Sequence, residues 1–210
     1  MRLGVLVSGR GSNLEAVLEA RRAGRLARVD PVMVLSNRRD VRALEVAERH
    51  GLEHRVLDRS SFADGPARDA AIGEAFRAAR CDLVLLAGYD QVLRPTYFAA
   101  FDGPTINIHP SLLPRHGGSG MMGMAVHASV LAAKDAQSGA SIHLVTQDLD
   151  AGPLLAQARV PVLPGDDPET LAQRVLAVEH RLLVDTLADL ADQAAEGWAD
   201  LASASMTDRS

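Results

Sequence analysis

Short apolar runs alternate with longer helical segments along most of this chain, and that alternation restricts the fold more than any other feature. The most apolar run, Leu83–Ala87, contains almost no polar residue, which is typical of a parallel strand buried on both faces. Strands that alternate with helical segments indicate an α/β fold. The predicted strands of this part are Leu3–Val7, Pro31–Leu35, His54–Leu57, Leu83–Ala87 and Thr105–Ile108. Four helices are predicted in the same part. The first ends near Ala23, the second spans Val41–His50, the third runs from about Ser61 to Arg80, and the fourth begins at Pro95.

The pattern changes after the last of these strands. Residues Pro110–Gly123 contain two prolines and four glycines, and a loop of that length in a compact domain is usually functional or disordered. A predicted helix, Met124–Lys134, follows it. Ala140–Thr146 and Leu154–Val162 then predict an antiparallel pair of strands. Pro168 occupies the favoured first turn of a long final helix.

Composition excludes several classes of protein. The chain has 210 residues and a net charge of -5, whereas nucleic-acid binding relies on a basic footprint. No apolar run reaches the roughly 20 residues that span a bilayer, and the N-terminus lacks the features of a signal peptide. The single cysteine, Cys81, excludes an internal disulfide and fits a reducing compartment. We therefore expect a cytoplasmic protein that binds neither nucleic acid nor membrane.

The first candidate site is the segment Ser8–Asn13, between the first strand and the first helix. Its two glycines let main-chain N–H groups approach an anion, and the N-terminus of the helix adds a favourable dipole. Leu14 stands where a dinucleotide fingerprint needs a third glycine, and the Gly-Lys-Ser/Thr of a Walker loop is missing. The segment therefore predicts a single bound phosphate, with Ser12 or Asn13 contributing a side chain. The alternative is an ordinary turn in which Ser12 caps the helix.

The second candidate site lies at the end of the strand that begins at Thr105. Alternation along a strand puts Asn107 and His109 on one face and Ile108 on the other. They lie at the edge where open α/β sheets bind ligands. An amide donor beside an imidazole suits proton transfer and the stabilisation of a developing negative oxygen. The alternative is a structural histidine, which is the commoner role of a lone histidine at a strand end.

The third candidate site is the acidic turn Gln147–Pro153. Acidic turns with Gly and Pro are usually only turns. A carboxylate that contacts an imidazole, however, favours the protonated form of the ring and orients it. If Asp150 meets His109 in the folded chain, the two residues form a general acid–base pair.

Four segments, in order along the chain, resemble the glycinamide ribonucleotide formyltransferases of purine synthesis. They are SGRGSNLEA, LLAGY, INIHPSLLP and TQDLDAGP. The Asn-x-His-Pro-Ser-Leu-Leu-Pro motif with a later Asp-Ala-Gly-Pro is specific to the wider formyltransferase superfamily, and the N-terminal Gly-x-Gly-Ser-Asn narrows the resemblance to this branch. The resemblance implies a single-domain, Rossmann-like formyltransferase fold. Such a fold has a mostly parallel twisted sheet, helices on both faces and a C-terminal antiparallel strand pair.

The resemblance covers about residues 1–195 and implies a division of roles within that one domain. Residues 1–105 would form the phosphate-binding half, and residues 106–195 the catalytic and folate-binding half. Residues 196–210 form a polar C-terminal tail, and we expect its last ten residues to be frayed. The seven histidines are scattered, and no HExxH or CxxC motif occurs, so no metal site is predicted.

The resemblance implies transfer of the formyl group of 10-formyltetrahydrofolate to the amine of 5'-phosphoribosylglycinamide. Asn107 would polarise the formyl oxygen, His109 would act as general acid, and Asp150 would raise the pKa of His109. The residues implied to bind the substrate are Gly11, Ser12 and Asn13 at its phosphate and Glu179 at its ribose. The residues implied to bind the folate are Tyr89, Asp90, Gln91, Val92, Leu93, Asn107, Gln147 and Asp148. The alternative for Glu179 is a solvated helix acid.

The chain departs from the family's pattern at several positions. Asp90 and Gln91 stand where members carry Met-Arg in the segment that faces the pterin. Gly65 stands where an arginine often meets the folate tail, with Arg68 nearby. Leu176 stands where a polar contact to the substrate is common. These departures concern ligand contacts, whereas the phosphate-binding and catalytic positions match the family in full.

Two other functions stay open at this point. Formyltetrahydrofolate hydrolysis would replace the amine by water, but the phosphate loop disfavours it, and we expect a hydrolase to carry a regulatory domain ahead of the first strand. A non-catalytic nucleotide- or folate-binding protein would explain the Asp90-Gln91 departure by loss of the folate site. In every case the expected partners are small molecules, and the chain is expected to be a monomer or a homodimer.

Overall fold

The computed structural model describes residues 1–195 and 207–209, and its strands form one sheet. The strands are β1 (Arg2–Val7), β2 (Asp30–Ser36), β3 (His54–Val56), β4 (Leu83–Leu86), β5 (Thr105–His109), β6 (Gln137–Leu144), β7 (Leu154–Pro161) and β8 (Thr207–Arg209). The helices are α1 (Ser12–Arg22), α2 (Arg42–Arg49), α3 (Gly65–Ala78), α4 (Pro95–Ala100), α5 (Met124–Ala132) and α6 (Pro168–Ala195).

The order of strands across the sheet is β3-β2-β1-β4-β5-β6-β7-β8. The five strands from β3 to β5 pair in parallel. β6 then pairs antiparallel with both β5 and β7, and β8 pairs in parallel with β7. This arrangement confirms the predicted α/β fold with a mostly parallel sheet and a C-terminal antiparallel pair.

The sheet separates two apolar layers, because successive side chains of a strand point to opposite faces. Leu3 and Val5 of β1 belong to the layer that includes buried residues of α1, α2, α5 and α6. Leu6 belongs to the other layer, where Phe76 of α3 and Tyr97 of α4 pack. The prediction of helices on both faces is therefore confirmed.

Two element boundaries differ from the prediction by several residues. A 3-10 turn at Arg59–Ser61 precedes α3, and the helix begins only at Gly65 because the Asp64 side chain accepts a hydrogen bond from the Ala67 N–H and caps it. β6 begins three residues earlier than predicted and ends at Leu144, because it pairs with the whole of β7.

The structure describes only part of the predicted polar tail. Residues 196–206 and 210 of the predicted polar tail lie outside the described residues. Thr207–Arg209 form β8, so the expectation that the last ten residues are frayed is wrong for these three.

Along the part of the chain that is described, none of the helices has the length and apolarity needed to cross a membrane.

Candidate active site

A cleft of about 780 Å³ lies at the carboxyl ends of the parallel strands. Its walls come from the segments that follow β1, β4 and β5, from the glycine-rich loop before α5, from the turn after β6, and from α6. Open α/β sheets bind ligands at this edge, because loops from several strands meet there. All three candidate sites of the sequence open onto this one cleft.

The loop after β1 has a shape that only glycine fits at one position. Gly11 has a φ of 72°, and a Cβ there would lie 2.7 Å from the Ala43 Cα. Gly11 also stands at the N-cap of α1, and no side chain caps that helix. The alternative in which Ser12 is the cap is therefore wrong. Gly11, Ser12 and Asn13, at the N-terminus of α1, line the cleft, and the free N–H groups of a helix N-terminus suit an anion.

Asn13 and Glu179 form a buried pair at the same end of the cleft. The Asn13 Nδ2 donates to the Glu179 Oε1 over 2.6 Å, and the Asn13 Oδ1 is buried with no partner. Burial raises the pKa of Glu179 to about 7, against the opposing effects of the Asn13 hydrogen bond and the Arg10 charge. Glu179 is 8% exposed, so the alternative of a solvated helix acid is wrong.

Asn107 is oriented by a histidine on the neighbouring strand. Asn107 lies opposite His143 in the β5–β6 pair, and their side chains meet with the Nδ2 and Nε2 atoms 3.1 Å apart. The His143 Nδ1 lies 2.9 Å from the Leu144 carbonyl, which only accepts, so the Nδ1 carries the proton. The His143 Nε2 therefore accepts from the Asn107 amide. This hydrogen bond fixes which side of the Asn107 amide carries the nitrogen, and it leaves the second N–H of that amide available to a ligand.

His109, at the end of β5, is 5% exposed and has a defined tautomer. Its Nε2 donates to the main-chain carbonyl of His116 over 2.8 Å. In the neutral ring the lone pair is therefore on Nδ1, and this atom lies 3.8 Å from the Asp150 Oδ2. The structure thus brings His109 and Asp150 together, as the sequence predicted for a general acid–base pair.

Asp150 is held as a carboxylate beside two histidines. Burial raises its pKa, but the neighbouring His143 ring, the hydrogen bond from the Gly118 N–H and the nearby His109 ring lower the pKa below its ordinary value overall. The Gly118 N–H lies 2.9 Å from the Oδ2, and the His143 Nε2 lies 3.5 Å from the Oδ1. The glycine-rich loop is thereby anchored on the carboxylate that faces His109.

Opposing effects determine the pKa of His109. Burial lowers the pKa of His109 below its ordinary value, and this effect outweighs the opposite contributions of the His116 carbonyl and the Asp150 charge. The resemblance implied that Asp150 raises this pKa; the contribution has that sign, but the net shift is downward. Burial therefore favours the neutral form of His109 in the free protein.

The segment after β4 lines the cleft, and its departure from the family has a structural explanation. All five residues from Tyr89 to Leu93 line the cleft. The Asp90 carboxylate accepts from Ser8 at 3.0 Å and from Asn37 at 2.8 Å, and it forms an ion pair with Arg38. These hydrogen bonds and the Arg38 charge lower the pKa of Asp90 although burial opposes them. Asp90 thus joins this segment to the ends of β1 and β2.

The structure also shows the surroundings of Gly65 and Arg68, at the start of α3. A Cβ at Gly65 would lie 2.6 Å from the Arg94 guanidinium, so Arg94 fills the space that a side chain at position 65 would take. Arg68 is 2% exposed and pairs with the fully buried Asp69. Arg68 does not line the cleft.

Several cleft residues differ from, or add to, the predicted set. Asp148 and Leu176 line the cleft, whereas Gln147 is exposed and does not line it, so its contact with the folate stays a prediction. Sequence reasoning missed His143, although the alternation of β6 opposite Asn107 could have indicated it. It also missed His127 of α5, which lines the cleft with its Nδ1 buried and unpartnered.

The mouth of the cleft has an apolar rim that sequence reasoning did not predict. Large apolar side chains are exposed there at 41% to 52%: Val92, Met122, Met124 and Leu149. Met122 and Met124 flank Gly123, whose φ is 55°. An exposed apolar rim around a polar floor is typical of a small-molecule site. The local sequence signal was weak, because the rim comes from three separate segments.

Comparison with known proteins agrees with this geometry. The formyl transferase family model matches residues 1–187. The chain is 35% identical over 182 residues to the phosphoribosylglycinamide formyltransferase of Escherichia coli (strain K12), covering 87% of this chain and 83% of that protein. Among solved structures, glycinamide ribonucleotide transformylase 1 from Symbiobacterium toebii has a TM-score of 0.85 at 38% identity, covering 91% of this chain and 88% of that one.

Other relatives are much longer. The chain is 38% identical over 180 residues to the trifunctional purine biosynthetic protein adenosine-3 of Drosophila melanogaster, covering 85% of this chain but 13% of that protein. It likewise spans 14% and 18% of the trifunctional proteins of Drosophila pseudoobscura pseudoobscura and Bos taurus. The chain therefore belongs to the formyl transferase family, and within it is similar to the phosphoribosylglycinamide formyltransferases.

Proposed function

We propose that this protein transfers the formyl group of 10-formyltetrahydrofolate to the primary amine of 5'-phosphoribosylglycinamide. One observation carries the proposal: the loop after β1 and the group formed by Asn107, His109 and Asp150 open onto the same cleft. A substrate bound by its phosphate at one end would thus present its amine to a proton-transfer group at the other. The similarity to the Escherichia coli phosphoribosylglycinamide formyltransferase supports this choice of substrates.

The phosphate would be held by main-chain N–H groups rather than by long-range electrostatic attraction to the whole protein. The chain carries a net charge of -5, so long-range steering does not favour an anion. Gly11, Ser12 and Asn13 supply the N-terminus of α1, and Arg10 adds a local positive charge beside it. Glu179, held by Asn13, is placed to accept from the ribose hydroxyl groups.

Asn107 would stabilise the oxygen of the formyl group. One N–H of its amide is committed to His143, and the other is free to donate to an oxygen on which negative charge develops as the amine attacks. A fixed donor of this kind typically contributes about 3–4 kcal/mol to the transition state. His143 contributes by keeping the amide nitrogen, rather than the oxygen, towards that position.

His109 would move the proton between the two substrates. Because the His109 Nε2 donates to the His116 carbonyl, the Nδ1 carries the lone pair and is the atom that can accept a proton from the attacking amine. The Asp150 carboxylate, 3.8 Å away, stabilises the imidazolium that results. The same proton then goes to the folate nitrogen as the C–N bond breaks. His109 thus acts first as a base, because it starts neutral, and then as the general acid.

The folate would lie along the segment Tyr89–Leu93 and the turn that contains Asp148. The apolar rim formed by Val92, Met122, Met124 and Leu149 can cover a flat ring system, while main-chain groups of the two segments supply polar contacts. The Asp90 side chain would not contact the ring, because its carboxylate oxygens are occupied by Ser8, Asn37 and Arg38.

An assay of formyl-folate conversion with and without the amine tests the proposal. Conversion that depends on 5'-phosphoribosylglycinamide and yields its formylated product supports it. Conversion without the amine would instead indicate a hydrolase. Binding of both compounds with no conversion would indicate a non-catalytic binding protein, and either of these two outcomes would overturn the proposal.

A further inference from the structure

The proton position on His109 depends on one main-chain carbonyl, and that carbonyl belongs to a residue in an unusual conformation. His116 accepts from the His109 Nε2 over 2.8 Å and has a φ of 56°. This left-handed conformation is uncommon for residues other than glycine and persists where the surroundings hold it. Ser111 adds to the geometry, because its Oγ donates to the Arg115 carbonyl over 2.7 Å and closes the turn.

The side chain of His116 supplies what holds this conformation. Its Nδ1 lies 2.8 Å from the Ser129 Oγ on α5, and its Nε2 lies 2.7 Å from the Asp135 Oδ2 between α5 and β6. The His116 side chain is only 10% exposed. Both ring nitrogens are thus bound, and they tie the turn that carries the His116 carbonyl to Ser129 and Asp135, neither of which lines the cleft.

We propose that His116, held by Ser129 and Asp135, is a positioning residue that fixes the ring orientation and the proton position of His109 through its own main-chain carbonyl. The inference rests on the proposed function, since it concerns how His109 reaches the state that the transfer needs. With the Nε2 proton bound by that carbonyl, the Nδ1 lone pair points at Asp150. Without this bond, the two neutral tautomers compete, and only one of them can accept a proton on Nδ1.

The groups that face His109 come from every element around it. Asp150 lies in the turn after β6, His143 on β6, and His127 on α5, besides His116 itself. Burial lowers the pKa of His109, whereas the His116 carbonyl raises it. Loosening the tether should therefore lower the pKa of His109 further. The carboxylate of Asp150 cannot compensate, because it faces the other ring nitrogen.

The test uses three variants that act on the tether from outside the cleft. Asp135→Asn removes the carboxylate, Ser129→Ala removes the hydroxyl group, and His116→Gly removes the ring while tolerating the positive φ. We expect kcat to fall on the order of tenfold in Asp135→Asn and His116→Gly, because a slightly misplaced catalytic group slows the reaction. KM for both substrates should change little. The apparent pKa of His109 in the pH dependence of kcat should fall in Asp135→Asn and Ser129→Ala, which keep the His116 ring in the chain.

A nitrogen NMR measurement on His109 provides a readout that does not need turnover. In the wild-type protein its Nε2 should show the shift of a protonated nitrogen and its Nδ1 that of an unprotonated one. In the variants both shifts should move towards values averaged over two tautomers. Arg115→Ala is the matched control, because it removes the other partner of Asp135, an exposed ion pair at 2.6 Å, and leaves His116 in place.

The outcomes separate this inference from the proposed function. Unchanged His109 shifts in folded Asp135→Asn and Ser129→Ala would overturn the positioning role, whatever happens to kcat. The positioning role is also overturned if Arg115→Ala lowers kcat and shifts the His109 resonances as much as Asp135→Asn does. A lack of formyl transfer by the wild-type protein would overturn the proposed function alone, because the NMR shifts would still report the tether.

Discussion

The two ends of the cleft are built by different means. The phosphate end consists of one continuous segment, in which the positive φ of Gly11 and the start of α1 define the shape, and Glu179 of α6 contributes from a distant part of the chain. The proton-transfer end consists of side chains from β5, β6 and the turn after β6: Asn107, His143, His109 and Asp150. The first depends on main-chain geometry, the second on the relative placement of three segments.

This difference has a physical consequence. Main-chain N–H groups at a helix N-terminus do not titrate, so binding there depends on shape. Imidazole and carboxylate groups do titrate, and their states depend on burial and on each other. Substitutions at the phosphate end should therefore act on substrate binding, and substitutions at the other end on turnover. Four sets of substitutions test that separation, from the largest expected effect to the smallest.

The largest effect is expected at His109. His109→Ala removes the group that moves the proton, so kcat should fall by about 10²–10⁴-fold, while the Kd of 5'-phosphoribosylglycinamide measured by calorimetry stays nearly the same. Asp150→Asn should also lower kcat severely, because the imidazolium loses its carboxylate. His54→Ala, an exposed histidine on β3, is the control. Turnover close to the wild type in His109→Ala would refute the assignment.

The second effect concerns Glu179, the buried carboxyl group at the phosphate end. The folded-state pKa of Glu179 is raised to about 7 from an ordinary value of 4.5, so the protonated acid stabilises the fold and this stability is lost as pH rises towards 7 and beyond. The loss should be about 2–3 kcal/mol between pH 5 and pH 8. Glu179→Gln should lack this pH dependence and unfold at a higher urea concentration than the wild type at pH 8.

The control for this prediction is Glu169→Gln, which changes an exposed carboxyl group on the same helix. Its urea midpoint should follow the wild type at every pH. A wild-type protein whose free energy of unfolding is the same at pH 5 and pH 8 would show that Glu179 is not buried as described, and the two ends of the cleft would then be less different.

A third, smaller effect is expected at Gly11. Gly11→Ala places a Cβ 2.7 Å from the Ala43 Cα at a φ of 72°, so the loop must move. A left-handed conformation costs about 1–2 kcal/mol for a residue with a Cβ, which corresponds to about a tenfold rise in KM for 5'-phosphoribosylglycinamide. kcat at saturation should remain near the wild-type value. Steady-state kinetics with the amine substrate varied measures both.

Gly24→Ala is the matched control, because Gly24 has a φ of 82° but no atom lies within 4 Å of its Cβ position, and Gly24 does not line the cleft. It should lower the free energy of unfolding without changing KM. If Gly11→Ala instead lowers kcat and leaves KM unchanged, the separation between binding and turnover fails.

The smallest effect is expected at Asp90, which joins the segment after β4 to the ends of β1 and β2. Asp90→Asn weakens the ion pair with Arg38 and the hydrogen bonds to Ser8 and Asn37. Partly exposed pairs contribute about 0–1 kcal/mol, so KM for the folate should rise only about three- to fivefold. Asp30→Asn, which breaks an exposed pair with Arg21, is the control and should leave KM unchanged. A large fall in kcat would mean that Asp90 contacts the reacting atoms.

Much of the fold and some of the site could be predicted because the signals are local. The apolar runs predicted β1, β2, β4 and β5 to within a residue or two, and alternation along β5 placed Asn107 and His109 on one face. The start of α3 was missed, because the Asp64 cap overrides the helical periodicity that begins near Ser61. The contact of Asp150 with His109 was stated only as a condition, since 41 residues separate the two in the chain.

By itself, the sequence determined the layered α/β fold, the glycine-shaped loop after β1 and the types of residue available for chemistry, because periodicity and turn composition act over a few neighbouring residues. Only the tertiary structure decided that burial favours the neutral form of His109, that Glu179 is buried against Asn13, and that Asp90 joins the segment after β4 to the ends of β1 and β2. It also decided that the His116 carbonyl accepts a hydrogen bond from the His109 Nε2. Charge states and proton positions depend on burial and on distances between segments far apart in the chain, which no local pattern records.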